Sequence, residues 1–172
     1  MKVLLAFFCT LLSYGTVHAQ DEGTHLAGRE NKRPNPADYQ TVADNDKPMD
    51  RAVNSAQHSL GFFVAALRAK KPEDGGFEIK KAFVDGDNVE HLWIDDVTFD
   101  GTNFHGRINN KPVVLHNVRL DQRVTVPAAE VVDWMFVKDS KLMGGYTTRV
   151  LYARMSPEEK ARFDKEAEFK IE

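Results

Sequence analysis

Apolar residues recur at three- and four-residue steps through residues 48–69, where Met49, Ala52, Val53, Ala56, Leu60, Phe63, Val64 and Leu67 share one side of a helical wheel. That period predicts an amphipathic helix whose stripe packs against a core. Asp46 stands at the N-cap position and Pro48 in the first turn, where its missing N–H is no loss. Gly61 lowers helix propensity by about 1 kcal/mol relative to Ala, so it is expected to mark close packing against a sheet. The period then changes. After the turn-rich stretch 71–76, Phe77, Ile79 and Phe83 alternate with Glu78, Lys80 and Ala82, and Asp85-Gly86-Asp87-Asn88 signals a hairpin. Further strands are expected over 89–99, 104–108, 113–115, 123–126, 134–137 and 141–143, the last two turning at Asp139-Ser140. One long helix followed by short strands at meander spacing predicts an α+β domain over 48–155, its N-terminal helix packed on a bent antiparallel sheet or partial barrel.

The flanks read differently. Gly144-Gly145 ends the sheet, and Thr147 is placed to cap a short helix reaching Arg154. Ser156-Pro157-Glu158-Glu159 then opens a charged C-terminal helix over 156–172, with a capping box and a narrow apolar edge of Phe163, Ala167 and Ile171. Residues 20–47 are polar and rich in Asp, Asn, Pro and Gly; such a segment cannot bury enough surface to offset its ordering entropy, so a flexible leader is expected. Residues 1–19 have the anatomy of a signal peptide: Lys2, an apolar run over 3–12, and a small-x-small site at Val17-His18-Ala19, with cleavage expected after Ala19. Lipidation at Cys9 is a poor alternative, because it would leave too short an export segment and place Phe8 before the modified residue. No later apolar run approaches the ~20 residues that cross a bilayer, so the expectation is a soluble exported chain without a membrane anchor, periplasmic or secreted.

Charge and cysteine content narrow the classes. The chain has 23 basic and 26 acidic side chains; removing Lys2 leaves 22 against 26, a net charge of −4. That balance argues against general nucleic-acid or anionic-membrane binding, both of which need a basic surface. Cys9 is the single cysteine, so the processed chain of about 150 residues must be held by its core alone, without disulfides.

Five motifs follow one another between Glu90 and Arg149: Glu90-His91-Leu92-Trp93, Gly106-Arg107-Ile108-Asn109-Asn110-Lys111-Pro112, Arg123-Val124-Thr125-Val126, Val132-Asp133-Trp134-Met135 and Gly144-Gly145-Tyr146-Thr147-Thr148-Arg149. In order and spacing they resemble the YegJ-like family of bacterial proteins, a domain of unknown function (DUF2314), over residues 49–151. The resemblance implies an exported bacterial origin and brings no assigned activity or catalytic residue with it.

The candidate chemistry is sparse. His91, Trp93 and Asp95 alternate on one face of a strand with Leu92 and Ile94 on the other, a polar and aromatic face able to line a groove. His91 and Asp95 are ~13 Å apart along a strand at ~3.3 Å per residue, so a general-base dyad needs a carboxylate from elsewhere, such as Asp133. The structural alternative is a histidine bonded to a backbone group. Asp133-Trp134 offers an acceptor beside an aromatic plate, or simply a core indole with its N–H satisfied. Gly144, Gly145, Tyr146, Thr147 and Arg149 form the sharpest candidate: two glycines turning N–H groups toward an anion at a helix start, with Arg149 as a fork for carboxylate or phosphate. The alternative is a tight strand-to-helix turn in which Arg149 pairs with Asp133 or Asp95. His58, His91, His105 and His116 are scattered singly, so no metal site is expected, and no cofactor motif is present. No G-x-S-x-G elbow occurs, and no Ser or Thr sits in an activating sequence context. These features favour a non-enzymatic binding module for a protein, peptide or envelope component. The alternatives are a hydrolase-like enzyme using His91 with a carboxylate, and an immunity or inhibitor-type protein presenting an acidic surface.

Overall fold

The helix written into residues 48–69 forms as Lys47–Ala69 (α1), because the Asp46 carboxylate accepts the Met49 N–H at 3.2 Å and Pro48 occupies the first turn. The computed structural model describes residues 46–172; the signal peptide expected at 1–19 and the leader as far as residue 45 lie outside them. Met49, Ala52, Ala56, Phe63 and Leu67 of the stripe are buried, and Leu60 and Val64 partly so. Gly61 departs from expectation: a Cβ there would meet nothing within 4 Å, so it marks no close approach.

Six strands follow: β1 (Asp74–Asp85), β2 (Asn88–Phe99), β3 (Asn103–Ile108), β4 (Arg123–Pro127), β5 (Val131–Lys138) and β6 (Lys141–Gly144). All pair antiparallel in the order β4-β3-β2-β1-β5-β6, which makes an α+β fold on an open sheet rather than a closed barrel. Irregular register between Asp95 and Thr98, where Asp96 takes φ 50°, lets both Ile94 and Val97 join the core.

The strand expected over 113–115 does not form. Pro112 has no N–H to give a ladder, and the Val113 N–H goes to the Glu90 carboxylate at 3.0 Å, with the Val114 N–H at 3.2 Å. The neighbouring Asn110 side chain accepts the Trp93 N–H at 2.7 Å, and the Asn109 N–H reaches the Trp93 carbonyl at 2.8 Å. The Asn110 side chain and the Asn109 main chain thus satisfy the edge of β2 at Trp93 where a strand was expected.

The core lies between α1 and one face of the sheet. Phe63 packs against Trp134 and Phe104 with ring centroids 5.5 and 6.0 Å apart, among Ile79, Ile94 and Val126. The Trp134 indole N–H donates to the Ala56 carbonyl at 2.9 Å, so this core indole carries no unsatisfied donor.

Beyond β6 come α2 (Tyr146–Arg154) and α3 (Pro157–Glu166), the latter with the expected capping box at Ser156 and Glu159. The C-terminal helix stops short of residue 172. Phe169 and Ile171 stand two apart, the period of an extended chain, and they pack on Trp93, Met135 and Leu142 on the second face of the sheet. Lys170 forms a parallel bridge to Lys141: its carbonyl accepts the Leu142 N–H at 3.0 Å and its N–H donates to the Ser140 carbonyl at 2.8 Å. No described helix is long and apolar enough to cross a membrane.

Candidate functional site

Central strand β1 places Glu78 and Lys80 on the second face, and both are buried. Lys80 is the register partner of Trp93 on one side and Asp133 on the other. Its ammonium sits 4.7 Å from the Trp93 ring centroid, a cation–π contact, and donates to the Thr147 hydroxyl at 3.4 Å. Asn109 closes one end of the cluster by donating from its amide to Glu78 at 3.1 Å.

Asp133 anchors the other end. One carboxylate oxygen accepts the N–H of Trp134 at 2.8 Å and of Tyr146 at 3.1 Å; the second accepts the Thr147 N–H at 2.8 Å and its hydroxyl at 2.5 Å. Burial pushes the Asp133 carboxyl upward from its ordinary value, opposed by the Lys80 charge and then by the Thr147 and Trp134 donors. Two of the accepted N–H groups belong to the first turn of α2, so a strand residue caps the helix. Thr147 was expected to cap it; instead Gly145 is the N-cap residue, in the left-handed region at φ 62°, and Thr147 donates its hydroxyl to Asp133. Gly144, at φ 71°, passes so close to Trp134 that a Cβ would collide with its carbonyl oxygen and its ring.

The turn expected to cradle an external anion therefore surrounds the carboxylate of Asp133. Arg149 pairs with neither Asp133 nor Asp95. Its Nε donates to the Gly144 carbonyl at 2.9 Å, Nη2 to the Leu142 carbonyl at 2.6 Å and Nη1 to the main-chain oxygen of Glu172 at 2.8 Å. The guanidinium thus ties the glycine turn and β6 to the tail.

His91, Trp93 and Asp95 do share the second face, as alternation predicts. The tail covers Trp93, whereas His91 remains exposed and Asp95 is half-buried opposite Arg107. Lost solvation, and then the Lys80 charge, hold the His91 imidazole below its ordinary value. Among the described residues, no hydrogen bond joins His91 to Asp95 or Asp133. Asp133 and Trp134, being consecutive in a strand, project to opposite faces, so they form no single plate. Tyr146 lies with Trp134 on the α1 side, their rings edge to face at 5.7 Å, and its hydroxyl accepts the Ser59 hydroxyl at 2.9 Å.

Glu78 and Lys80 are the members that sequence reasoning missed. Their alternation with Phe77 and Ile79 reads equally well as a solvated strand face, and the signal that β1 is central lies in the pairing order. Among the described residues, no group of three or more His, Cys, Asp or Glu is placed to hold a metal ion.

An open antiparallel sheet with a helix on one face and, on the other, a buried polar cluster beside the apolar patch that the tail covers defines the class of domain. The chain belongs to the family described as "Uncharacterized protein conserved in bacteria (DUF2314)", whose sequence model matches residues 46–171. The resemblance read from the five motifs therefore holds, and the match extends past 49–151 at both ends. A protein of Neisseria meningitidis serogroup B (strain MC58) named "Putative ankyrin repeat protein" is 34% identical over 131 residues, covering 72% of this chain and 52% of that protein. "Uncharacterized protein YegJ" of Escherichia coli K12 is 30% identical over 111 residues, 64% of this chain and 71% of the relative. The chain thus spans about half the length of the first relative. No solved structure matches it.

Proposed function

We propose that the chain is an exported binding module for a protein, peptide or cell-envelope component, and that its docking surface is the open end of the second sheet face around His91. The observation that carries this reading is the hairpin end of β1 and β2. There Val84 and Val89, register partners on that face, are 58% and 56% exposed, beside Ala82 and exposed His91. Val113 and Val114, whose N–H groups bond to Glu90 on the other face of the same hairpin, are exposed as well. Apolar surface gathered in this way around one polar group has the composition of an interaction surface rather than of scattered exposure. The satisfied Asp133 and Arg149 support a structural role for the Gly144–Arg149 turn, leaving the hairpin end as the surface free to bind. The signal-peptide pattern of residues 1–19 supports export.

The test combines location with contact. Intact-mass measurement on the exported chain is expected to show loss of residues 1–19; a retained signal would overturn the localisation. A photo-crosslinking residue at position 91 is expected to capture a discrete envelope partner, and Val84→Glu with Val89→Glu to abolish capture without moving the melting temperature. Absence of a crosslink, or a crosslink indifferent to the glutamates, would remove the hairpin end as the docking surface.

A further inference from the structure

A different constellation lies on the same sheet face, toward the β4 edge. His105 and Thr125 are register partners on β3 and β4, and His105 Nδ1 lies 3.1 Å from the Thr125 hydroxyl oxygen. Across the ring, Nε2 lies 2.9 Å from a carboxylate oxygen of Asp100. Asp100 heads the turn between β2 and β3, where its other oxygen accepts the N–H of Asn103 at 2.7 Å and of Thr102 at 2.8 Å. Those two N–H groups, with His105 after them, hold the Asp100 carboxyl far below the usual carboxylate range. Asp100 is thereby an acceptor alone, so Nε2 carries the ring's proton. In the neutral imidazole Nδ1 is then left to accept the Thr125 O–H.

Two residues along both strands, Arg107 and Arg123 are also register partners on this face. Like charges set directly opposite repel, and a shared anion is the arrangement that relieves them. Asp95, the register partner of Arg107 on β2, and Asp96, 3.6 Å from Arg107 Nε, offset part of the repulsion, while Arg123 is exposed. The site is open to substrate: the His105 and Asp100 side chains are each 45% exposed.

The geometry points to Thr125 as a nucleophile toward esters that also carry a carboxylate, with His105 as its general base, Asp100 orienting the imidazole, and Arg107 and Arg123 receiving the carboxylate. Two strand positions separate the hydroxyl from the arginines, ~7 Å, so the ester carbon and the carboxylate must be several bonds apart. In the first step the Thr125 oxygen bonds to the acyl carbon while its proton passes to His105 Nδ1. The ester C–O bond breaks, and the departing alkoxide takes that proton. Water, deprotonated by the same nitrogen, then splits the acyl-threonine, releases the acid and restores the hydroxyl.

The probe is the full exported chain with the mono-4-nitrophenyl ester of adipic acid, compared with neutral 4-nitrophenyl butyrate. Wild type is expected to release nitrophenolate faster from the adipate ester, and tandem mass spectrometry to place an adipoyl group on Thr125. His105→Gln should slow release by at least about a hundredfold, the low end of what a general base supplies. Thr125→Val should abolish the adduct, and Thr125→Ser should retain it. Arg107→Gln with Arg123→Gln should erase the preference for the adipate ester. Acylation confined to lysines, or release indifferent to His105→Gln and Thr125→Val, overturns the nucleophile. Equal rates for the two esters overturn the arginine assignment. Should His105→Gln fail to fold, the contrast between Thr125→Val and Thr125→Ser decides.

Discussion

On the α1 face, Phe63, Ile79, Ile94, Phe104 and Trp134 meet as apolar side chains, whereas the opposite face buries Glu78, Lys80 and Asp133 beside Trp93 and Met135, on which Phe169 and Ile171 pack. The first face gains stability roughly in proportion to the apolar area it removes from water. The second is conditional: each buried charge is tolerable only while its partners stay in place, and removing one strands the rest. The comparison teaches that buried residues on two faces of one sheet need not be equally tolerant of change. One degrades by degrees, the other by the loss of a partner.

The strongest way to break this comparison is a charge on the apolar side. Phe63→Asp would set an unpaired carboxylate among Trp134, Phe77 and Phe104, and the domain is expected to be unfolded by circular dichroism at all temperatures. On the polar side, Asp133→Ala leaves the Tyr146 and Thr147 N–H groups without their acceptor and removes a carboxylate that faces the Lys80 charge. A loss of about 3 to 5 kcal/mol in denaturant melts is expected. Should Asp133→Ala cost no more than an ordinary surface change, the second face is not conditional and the contrast collapses.

Smaller changes sharpen the comparison. Deleting residues 168–172 removes Phe169, Ile171 and the Lys170 bridge, and about 2 to 4 kcal/mol of stability should go with them. Trp93 fluorescence should shift to the red, while Trp134, on the far face, keeps its environment. Arg149→Ala, which frees three carbonyls but leaves the apolar tail residues able to dock, should cost about 1 to 3 kcal/mol. The least effect belongs to His91. Its folded value lies below its unfolded one, so the unfolded chain protonates first as pH falls, and stability present above about 6.5 declines on acidification through that value. His91→Gln should flatten that part of the pH profile; an unchanged slope would assign it to another group.

How much of this was legible beforehand depended on whether a signal was local. The α1 stripe repeats over six turns, and six of the seven expected strands carried their own alternation and turn residues. The segment 113–115 failed because the demand of its N–H groups is met by Glu90, a side chain on another element. At the site, Asp133 and the Gly144–Arg149 turn each stood out in the sequence, yet nothing local said that one fills the other. Lys80 and Glu78 stayed hidden because their burial follows from the central place of β1 and from partners distant in sequence, Thr147 for Lys80 and Asn109 for Glu78. Asp100, His105 and Thr125 meet through cross-strand register, which the irregular pairing between Asp95 and Thr98 helps to set.

The bridge from Lys141 to Lys170 has a further bearing, on how copies of this chain behave toward one another. A sheet this open has two outer strands whose unused N–H and C=O groups can template a neighbour. β4 is five residues long and ends at Pro127, a poor template. β6 is shielded by residues that come after every strand in the sequence, so during synthesis that rim is the last to be covered. A nascent or clipped chain is therefore the adhesive form, and light scattering of the 168–172 deletion, compared with the intact chain at equal concentration, is where that self-association should appear.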